Sequence, residues 1–274
     1  MPRARLAIEV GIAVIVLSVS LLAPDAMAGG APYGYGVVLS NETTTYDFVG
    51  FPPVAAIGPL DVELLAGAFI GGDYSTVYAI DADGNLDTVD TATGAASPVG
   101  SLGLEPAPRA SLGADPRSGG LFAILGDNNC DMTNLYSVDA TTGATTLIAP
   151  VPECVASVAI DPAGLLYLLD TNAQALNVID ILGTETTLGP LGIALNPSAR
   201  IAIDPVSGGL FLIEFDLGSF TNAIFSVDTT TGAATLVGPL GGENPISAPV
   251  LAPAPVGPSD TIFADGFDPP ARVH

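Results

Sequence analysis

Short runs of alternating apolar and polar residues, separated by turns that contain glycine, recur along this chain. The clearest example is the segment Asn222–Leu240 (NAIFSVDTTTGAATLVGPL), in which two alternating runs flank a Thr-Thr-Thr-Gly turn. Alternation with a period of two on both sides of such a turn predicts a pair of antiparallel strands. The same pattern returns at Leu86–Leu102, at Leu135–Val151 and, with more substitutions, at Leu176–Leu191. The chain is therefore predicted to be a tandem array of β-hairpins.

Two further apolar runs precede each hairpin and complete a four-stranded unit. In three units the first run ends in Asp-Pro, as in Leu112–Pro116, Val158–Pro162 and Ile201–Pro205. Proline fixes φ and aspartate accepts hydrogen bonds from the backbone that follows it, so Asp-Pro marks a turn. The first unit lacks Asp-Pro but has apolar runs in the same places, at Leu65–Ile70 and Val77–Ile80. Because the aspartates recur at matching positions, we interpret them as turn formers rather than as catalytic groups.

The length of the repeat predicts the fold. The glycine of the hairpin turn recurs at Gly94, Gly143, Gly183 and Gly232, at intervals of 49, 40 and 49 residues. A four-stranded unit that repeats every 40 to 50 residues or so is typical of a β-propeller blade. We therefore predict an all-β protein, a β-propeller of four-stranded blades.

The number of blades follows from the length of the repetitive region. About 230 residues at a mean spacing of about 46 correspond to five blades. Four units are complete, so the fifth is predicted to combine N-terminal strands within Thr43–Leu60 with the C-terminal run Ile246–Ala252. A blade built from both ends of the chain closes the ring and removes two exposed sheet edges. An open array and a ring of six or seven blades remain alternatives.

The N-terminus has the features of an export signal. Arg3 and Arg5 precede the apolar run Val10–Ala23, and an A-x-A site ends at Ala28, after which we predict cleavage. The run is shorter than the roughly 20 residues of a membrane span, so no span is expected after cleavage. An uncleaved N-terminal anchor is the alternative. The predicted division of the chain is a signal peptide at 1–28, the propeller at 29–251, and a proline-rich linker with a tail at 252–274.

Charge narrows the range of partners. The chain has 29 acidic residues and six basic ones, and its net charge is −23. A surface of this sign repels phosphate backbones and anionic lipids, so we expect no binding to nucleic acid or to a membrane surface. Cations and basic partners are favoured instead. The alternative is that the acidity serves only solubility.

Two cysteines, Cys130 and Cys154, remain after the predicted signal. Cys130 lies in a loop between the second and third strands of its unit, and Cys154 lies in the connection to the next unit. Because the strands of a blade run up and down in turn, both positions lie on one face, in adjacent blades. In an oxidising compartment we predict a disulfide between them, closing a loop of about 24 residues and stabilising the fold by roughly 3 kcal/mol. Two free thiols are the alternative.

The loop that contains Cys130 also offers candidate calcium ligands. Asp127, Asn129 and Asp131 place oxygen ligands at alternate positions, as at the start of a calcium-binding loop. However, Met132 stands where such a loop has glycine, and Val138 stands where it has a glutamate. Calcium is therefore a hypothesis here and not an assignment.

Catalytic groups are scarce in this sequence. The one histidine is His274 and there is no lysine, so Ser-His and Cys-His pairs and histidine zinc sites are not expected. We assign no catalytic residue. A glycosidase with paired carboxylates and a calcium-dependent lactonase or esterase at the propeller channel are the enzymatic alternatives.

The repeats resemble those of a known group of proteins. The units Leu112–Val151, Val158–Leu191 and Ile201–Leu240 resemble the DP-x-S/T-G-x-L-F/Y … L-Y-x-V-D-x-x-T-G-A-x-T-x-I/V-G-P-L repeats of secreted bacterial propellers, a quinoprotein-like and otherwise uncharacterised group. The resemblance implies the fold but no activity, and the absence of Trp argues against a quinone cofactor. The segment Ser259–Phe267 (SDTIFADGF) resembles the C-terminal tail of exported proteins of some Gram-negative bacteria, which implies sorting or surface display. An ordinary final strand or a disordered end is the alternative.

These features predict an exported, non-catalytic β-propeller that acts as a binding or scaffold protein. We expect a monomer that uses one face to bind a protein, a glycan or a component of the cell envelope. Its expected location is secreted, periplasmic or on the cell surface of a Gram-negative bacterium. The first alternative is a calcium-dependent hydrolase with carboxylates at the channel, and the second is a surface-displayed structural protein. A cofactor, Ca²⁺, is expected only for the hydrolase.

Overall fold

The regular structure of this protein is all β. The structure is a computed structural model that describes residues 31–40, 45–104, 109–127, 133–151, 154–179 and 185–255. These ranges contain twenty strands and no helix, so no helix in them could cross a membrane. In chain order the strands are β1 (Gly34–Leu39), β2 (Tyr46–Phe51), β3 (Ala55–Leu60), β4 (Leu64–Ala68), β5 (Thr76–Asp81), β6 (Asn85–Asp90), β7 (Ala96–Ser101), β8 (Arg109–Ala114), β9 (Leu121–Gly126), β10 (Thr133–Val138), β11 (Thr145–Val151), β12 (Val155–Ile160), β13 (Leu166–Asp170), β14 (Ala175–Ile179), β15 (Glu185–Pro190), β16 (Arg200–Ile203), β17 (Leu210–Asp216), β18 (Thr221–Val227), β19 (Ala234–Gly241) and β20 (Ser247–Leu251).

The strands form five antiparallel sheets of four, which are the blades of a five-bladed β-propeller. Blade 1 has the order β20-β1-β2-β3, and blades 2 to 5 are β4–β7, β8–β11, β12–β15 and β16–β19. The first strands of the five sheets contact one another in the cyclic order β20, β4, β8, β12, β16 and back to β20. They surround a central channel, and the fourth strand of each blade lies outermost. The predicted fold and blade number are confirmed.

The propeller has two faces that differ in the loops they carry. We call upper the face with the loops between the second and third strands and with the connections between blades. We call lower the face with the turns between the first and second strands and between the third and fourth. Each inner strand therefore begins at the upper face and ends at the lower face.

The hydrophobic core lies between the blades. Within the described residues, the buried side chains form five clusters, and each cluster joins two adjacent blades. Because both faces of an inner or second strand are covered by neighbouring blades, such strands are mostly apolar. All six residues of β12 (VASVAI) and all five of β13 (LYLLD) are buried. The outer strands, such as β7 (ASPVGS) and β15 (ETTLGP), are instead exposed or half-buried, because their outer side meets solvent.

Blade 1 contains one strand more from the N-terminal region than the sequence indicated. The sequence interpretation found two strands within Thr43–Leu60, but β1 (GYGVVL) precedes them and pairs with both β2 and β20. Two glycines concealed this strand, because glycine weakens strand propensity. They are required by packing: a Cβ at Gly34 would lie 2.5 Å from the carbonyl oxygen of Val250 and 2.6 Å from the ring of Phe51.

A buried asparagine fastens the closing strand to blade 5. Asn222 is 1% exposed, and its Nδ2 donates to the carbonyl oxygens of Gly241 (3.0 Å) and Asn244 (2.8 Å). Its Oδ1 accepts a hydrogen bond from the backbone N–H of Ile246 (3.1 Å). One side chain thus fixes the path of the segment that leads into β20.

The repeated Asp-x-x-x-Gly turns are held by their own side chains, as predicted. In blade 3, the Asp139 carboxylate accepts hydrogen bonds from Thr141 N (2.8 Å) and Thr141 Oγ1 (2.7 Å), and these bonds lower its pKa. Gly143 closes the turn with φ of +78°, which glycine adopts without strain. Asp90 and Asp228 make the corresponding bonds in blades 2 and 5. The prediction is confirmed for these three turns, and the fourth, with Gly183, lies outside the described residues.

The same turns also join neighbouring blades, which the sequence did not indicate. A Cβ at Gly143 would lie 2.5 Å from the carbonyl oxygen of Gly100, on the outer strand β7 of the preceding blade. Conversely, a Cβ at Gly100 would overlap the carbonyl oxygen of Thr142. The turn of one blade and the Gly-containing end of the previous outer strand therefore touch through backbone atoms, and both glycines are needed for this approach.

Candidate functional site

A groove lined mainly by apolar side chains lies on the upper face of blade 5. Its volume is about 550 Å³, which lies within the range of ligand-binding pockets. The connection between blades 4 and 5 forms one wall, and the β17–β18 hairpin with strands β18 and β19 forms the other. The apolar side chains that line it include those of Phe215, Leu217, Phe225 and Leu236. We refer to it as the blade 5 groove.

Hydrogen bonds hold the connecting wall of the groove in place. Asn196 donates its backbone N–H to Glu214 Oε1 (2.8 Å), and its side-chain amide donates to the carbonyl oxygen of Phe215. Leu195 N donates to the side-chain oxygen of Gln174 in blade 4 (2.6 Å). The connection is thus tied to both blades that it joins, so the groove is formed before any ligand arrives.

Two carboxylates give the groove a polar base and a charged rim. Glu214 is 8% exposed, and its burial raises its pKa. The hydrogen bond from Asn196 N opposes this rise in pKa, and the nearby negative charge of Asp216 adds to it. Asp216 accepts hydrogen bonds from Ser219 Oγ (2.7 Å) and Gly218 N (2.8 Å), which lower its pKa. Asp216 is therefore ionised at neutral pH, and the rim favours a basic group on a ligand.

Apolar side chains stand exposed at the tip of the β17–β18 hairpin, beside this groove. Leu217 and Phe220 are each 65% exposed, and Leu236 on β19 is 60% exposed. Phe220 also has φ of +52°, which is a sparsely populated region for a bulky side chain. Large exposed apolar residues grouped beside a groove mark an interaction surface, whereas single ones do not.

A second cavity opens at the lower end of the channel. It has a volume of about 340 Å³ and is lined by the ends of all five inner strands and by the prolines of the three Asp-Pro turns. The loop after β4 contributes Phe69 and Tyr74, whose rings meet edge to face at 5.2 Å. Burial and the charge of Asp204, in blade 5, raise the pKa of Tyr74. Apart from Tyr74, the described residues that line this cavity carry apolar side chains or are glycines.

A pair of buried carboxyl groups lies in blade 2. Asp81 and Asp87 are each 5% exposed, and burial together with the neighbouring Asp81 raises the pKa of Asp87 to about 6. Asp81 also accepts hydrogen bonds from Asn85 N (2.7 Å) and Asn85 Nδ2 (2.9 Å). Neither carboxyl group lines a cavity described above, so a substrate could not reach them, and we assign the pair a structural role.

The residues that the sequence suggested for calcium and for a disulfide are only partly described. Asp127 follows β9 on the upper face, and Cys154 precedes β12 and is 4% exposed. Asn129, Cys130 and Asp131 lie outside the described residues. Within the described ranges, no three acidic, cysteine or histidine side chains lie close enough to hold a metal ion. The calcium site and the Cys130–Cys154 disulfide both stay predictions.

The sequence interpretation did not identify the blade 5 groove. A local signal was available in the hairpin Asp216–Thr221 (DLGSFT), which places a leucine and a phenylalanine in a loop where polar residues are usual. The rest of the groove could not be predicted, because its walls come from separate segments that meet only when blades 4 and 5 pack together.

Comparison with known proteins supports the fold and no more. Neither the protein-family models nor the curated proteins contain a match. Among solved structures, TolB from Acinetobacter baumannii is similar with a TM-score of 0.56 at 13% identity, over 81% of this chain and 67% of TolB. A chain of a nidogen–laminin complex is similar with a TM-score of 0.51 at 10% identity, over 81% of this chain and 98% of the other. At such identities the likeness concerns the propeller architecture alone.

Proposed function

We propose that this protein is an exported, non-catalytic binding protein that holds a partner protein in the blade 5 groove. The observation that carries the proposal is the combination of a preformed apolar groove with large exposed apolar side chains: Leu217 and Leu236 in its lining, and Phe220 in the same hairpin as Leu217. An apolar anchor in a concave site with a polar rim is the usual arrangement of a protein interface.

The chemistry of the groove indicates the kind of segment it accepts. Its walls favour an aliphatic or aromatic side chain, and the ionised Asp216 favours a neighbouring basic residue. The net charge of −23 attracts basic partners over a longer range, so association is expected to slow as salt is added. A partner segment with an apolar residue beside Lys or Arg fits these features. The nidogen–laminin structure named above is itself a protein complex, which is consistent with this use of a propeller.

A cross-linking experiment on the full chain tests the proposal. A photoreactive amino acid replaces Leu217 on the upper face, and in a matched control it replaces Val206, which is 72% exposed in the β16–β17 turn of the lower face. After export from a Gram-negative host, we expect a discrete protein adduct from position 217 and none from position 206. Equal adducts from both positions, or none from either, contradict the proposal. An adduct that only glycosidase treatment removes indicates a glycan ligand instead.

A purified-protein assay examines the groove without a partner. Nile red, a neutral apolar dye, is expected to bind wild type, and the double substitution Leu217→Ser with Phe220→Ser is expected to weaken binding about tenfold, which corresponds to about 1.4 kcal/mol. The control Val206→Ser should leave binding unchanged. If the double variant and the control bind the dye equally, the groove is not the apolar site.

A further inference from the structure

Two of the six basic residues lie at the upper end of the channel. Arg109 is the first residue of β8 and Arg200 is the first residue of β16, so they belong to the inner strands of blades 3 and 5. Blade 4 stands between them and contributes Cys154, whose Sγ accepts a hydrogen bond from Arg109 Nη1 (2.9 Å). Burial and the charge of Arg109 lower the pKa of Arg200 to about 10, so the Arg200 side chain remains positive at neutral pH.

No carboxylate neutralises these two cations within the described residues. The ion pair found there is that of Arg117 with Asp115 (3.4 Å), on the lower face. Glu214 is the residue after Ile213, which pairs with Arg200 across the sheet. Its carboxylate accepts a hydrogen bond from Asn196 N rather than from Arg200. Two neighbouring guanidinium groups repel each other, and in a chain with 29 acidic residues a nearby carboxylate could easily have offset the repulsion.

Among the described residues, the hydrogen bonds of Arg200 leave one edge of its guanidinium group without an acceptor. Nη1 donates to the carbonyl oxygens of Pro197 and Ala199, both at 2.9 Å. Nε is buried and has no hydrogen-bond partner in the described part of the chain. A buried N–H without an acceptor costs free energy, so such a group is usually satisfied by something bound. The edge formed by Nε and Nη2 is one that binds a carboxylate or a phosphate through two parallel hydrogen bonds.

We propose that Arg109 and Arg200 form a site for a small oxyanion, a carboxylate or a phosphate group, at the upper end of the channel. The backbone carbonyls of Pro197 and Ala199 orient the Arg200 guanidinium, and Arg109 supplies the second positive charge. The space beside Arg200 inside the channel is only about 10 Å³, so the anion lies at the channel entrance. A single anionic group suits this site, whereas a polyanion is repelled by the net charge of −23.

Melting and calorimetry with simple anions test this site, independently of the partner proposed for the blade 5 groove. Wild type is compared in sodium phosphate, sodium acetate and sodium chloride at equal ionic strength, so that general screening cancels. We expect phosphate or acetate to raise the melting temperature above that in chloride, because a ligand that binds only the folded state stabilises it. Arg200→Gln and Arg109→Gln should each weaken the binding measured by calorimetry by about tenfold or more.

Arg117→Gln is the matched control, since it removes a positive charge at a distant, exposed position of the lower face and should bind the anion as wild type does. A response to acetate alone identifies a carboxylate site, and a response to phosphate alone identifies a phosphate site. The proposal is wrong if neither anion differs from chloride, or if Arg117→Gln loses as much affinity as the channel variants. Should Arg200→Gln fail to fold, Arg109→Gln still decides the outcome, because Arg109 makes none of the bonds to Pro197 and Ala199.

Discussion

Adding a single methyl group to Gly100 should weaken the contact between blades 2 and 3. A Cβ at this position would overlap the carbonyl oxygen of Thr142 and lie 3.1 Å from its carbonyl carbon, whereas carbon atoms in good contact are about 3.5–4.0 Å apart. The obstacle is backbone, so no side-chain rotation relieves it. The hairpin turn of blade 3 must therefore move away from strand β7.

The expected cost follows from the size of this overlap. Forcing a methyl group into a packed site costs about 1–3 kcal/mol. For a domain of 150 to 250 residues or so, each kcal/mol lowers the melting temperature by roughly 2–4 °C, so Gly100→Ala should melt about 2–12 °C below wild type. Differential scanning calorimetry of purified wild type and variant measures this difference.

The chain supplies a control at the matching position of another blade. Gly238 occupies the same place in the outer strand of blade 5, but a Cβ there would have no atom within 4 Å. Gly238→Ala should therefore change stability by no more than about 0.5 kcal/mol, as surface substitutions usually do. If the two variants melt at the same temperature, the glycine of this motif does not serve blade contact and the reasoning is refuted.

Other predictions concern buried hydroxyl and carboxyl groups and the untested loop. Ser157→Ala should lower the free energy of unfolding by about 1–3 kcal/mol, which urea titration measures. The reason is that the buried Ser157 Oγ accepts a hydrogen bond from the backbone N–H of Ile201 (3.1 Å), and in the variant this N–H would have no acceptor. Because the pKa of Asp87 is raised to about 6, the folded protein keeps a proton that the unfolded chain releases near pH 4 or so. The free energy of unfolding should then fall as pH rises from about 4 to about 6. In Asp87→Asn the contribution of Asp87 to this fall should be absent, which melting experiments on both proteins at about pH 4 and about pH 6 would show. A thiol assay on unfolded, unreduced protein should find no free thiol if Cys130 and Cys154 form the predicted disulfide, and two free thiols would exclude it. If calcium binds at Asp127, a chelator should lower the melting temperature of wild type but not that of Asp127→Asn; equal behaviour of the two proteins would exclude the site.

The two proposed sites share the upper face but differ in origin. The blade 5 groove depends on a hairpin that protrudes beyond the sheet, and the arginine pair depends on the first residues of two inner strands. Loops of a propeller can vary without disturbing the clusters between the blades, so specificity is expected in the hairpin. The inner strands, by contrast, also make the contacts that close the propeller. The Ser111 hydroxyl accepts a hydrogen bond from Val158 N (2.7 Å) of the next blade, and the Ser157 hydroxyl accepts one from Ile201 N (3.1 Å) of the blade after it.

Much of the fold could be predicted because the signals are local and repeated. An Asp followed by Thr and Gly closes a hairpin with its own hydrogen bonds, wherever in the chain it occurs. Strand β1 was missed for the opposite reason: its two glycines suit a tight position between β20 and β2, and that position exists only in the closed ring. The candidate sites were missed because Arg109 and Arg200, like the walls of the blade 5 groove, lie far apart along the chain.

The sequence by itself determined most of the strands and the turns that connect them, and it favoured five blades, since these depend on periodicity and on residues a few positions apart. Tertiary structure alone decided which blades touch through Gly100 and Gly143, how Asn222 fastens the closing strand, and that Arg109 and Arg200 lie at the same end of the channel. The physical reason is distance along the chain: a turn is stabilised by its own residues, whereas a blade contact or a binding site needs segments that only the closed ring brings together.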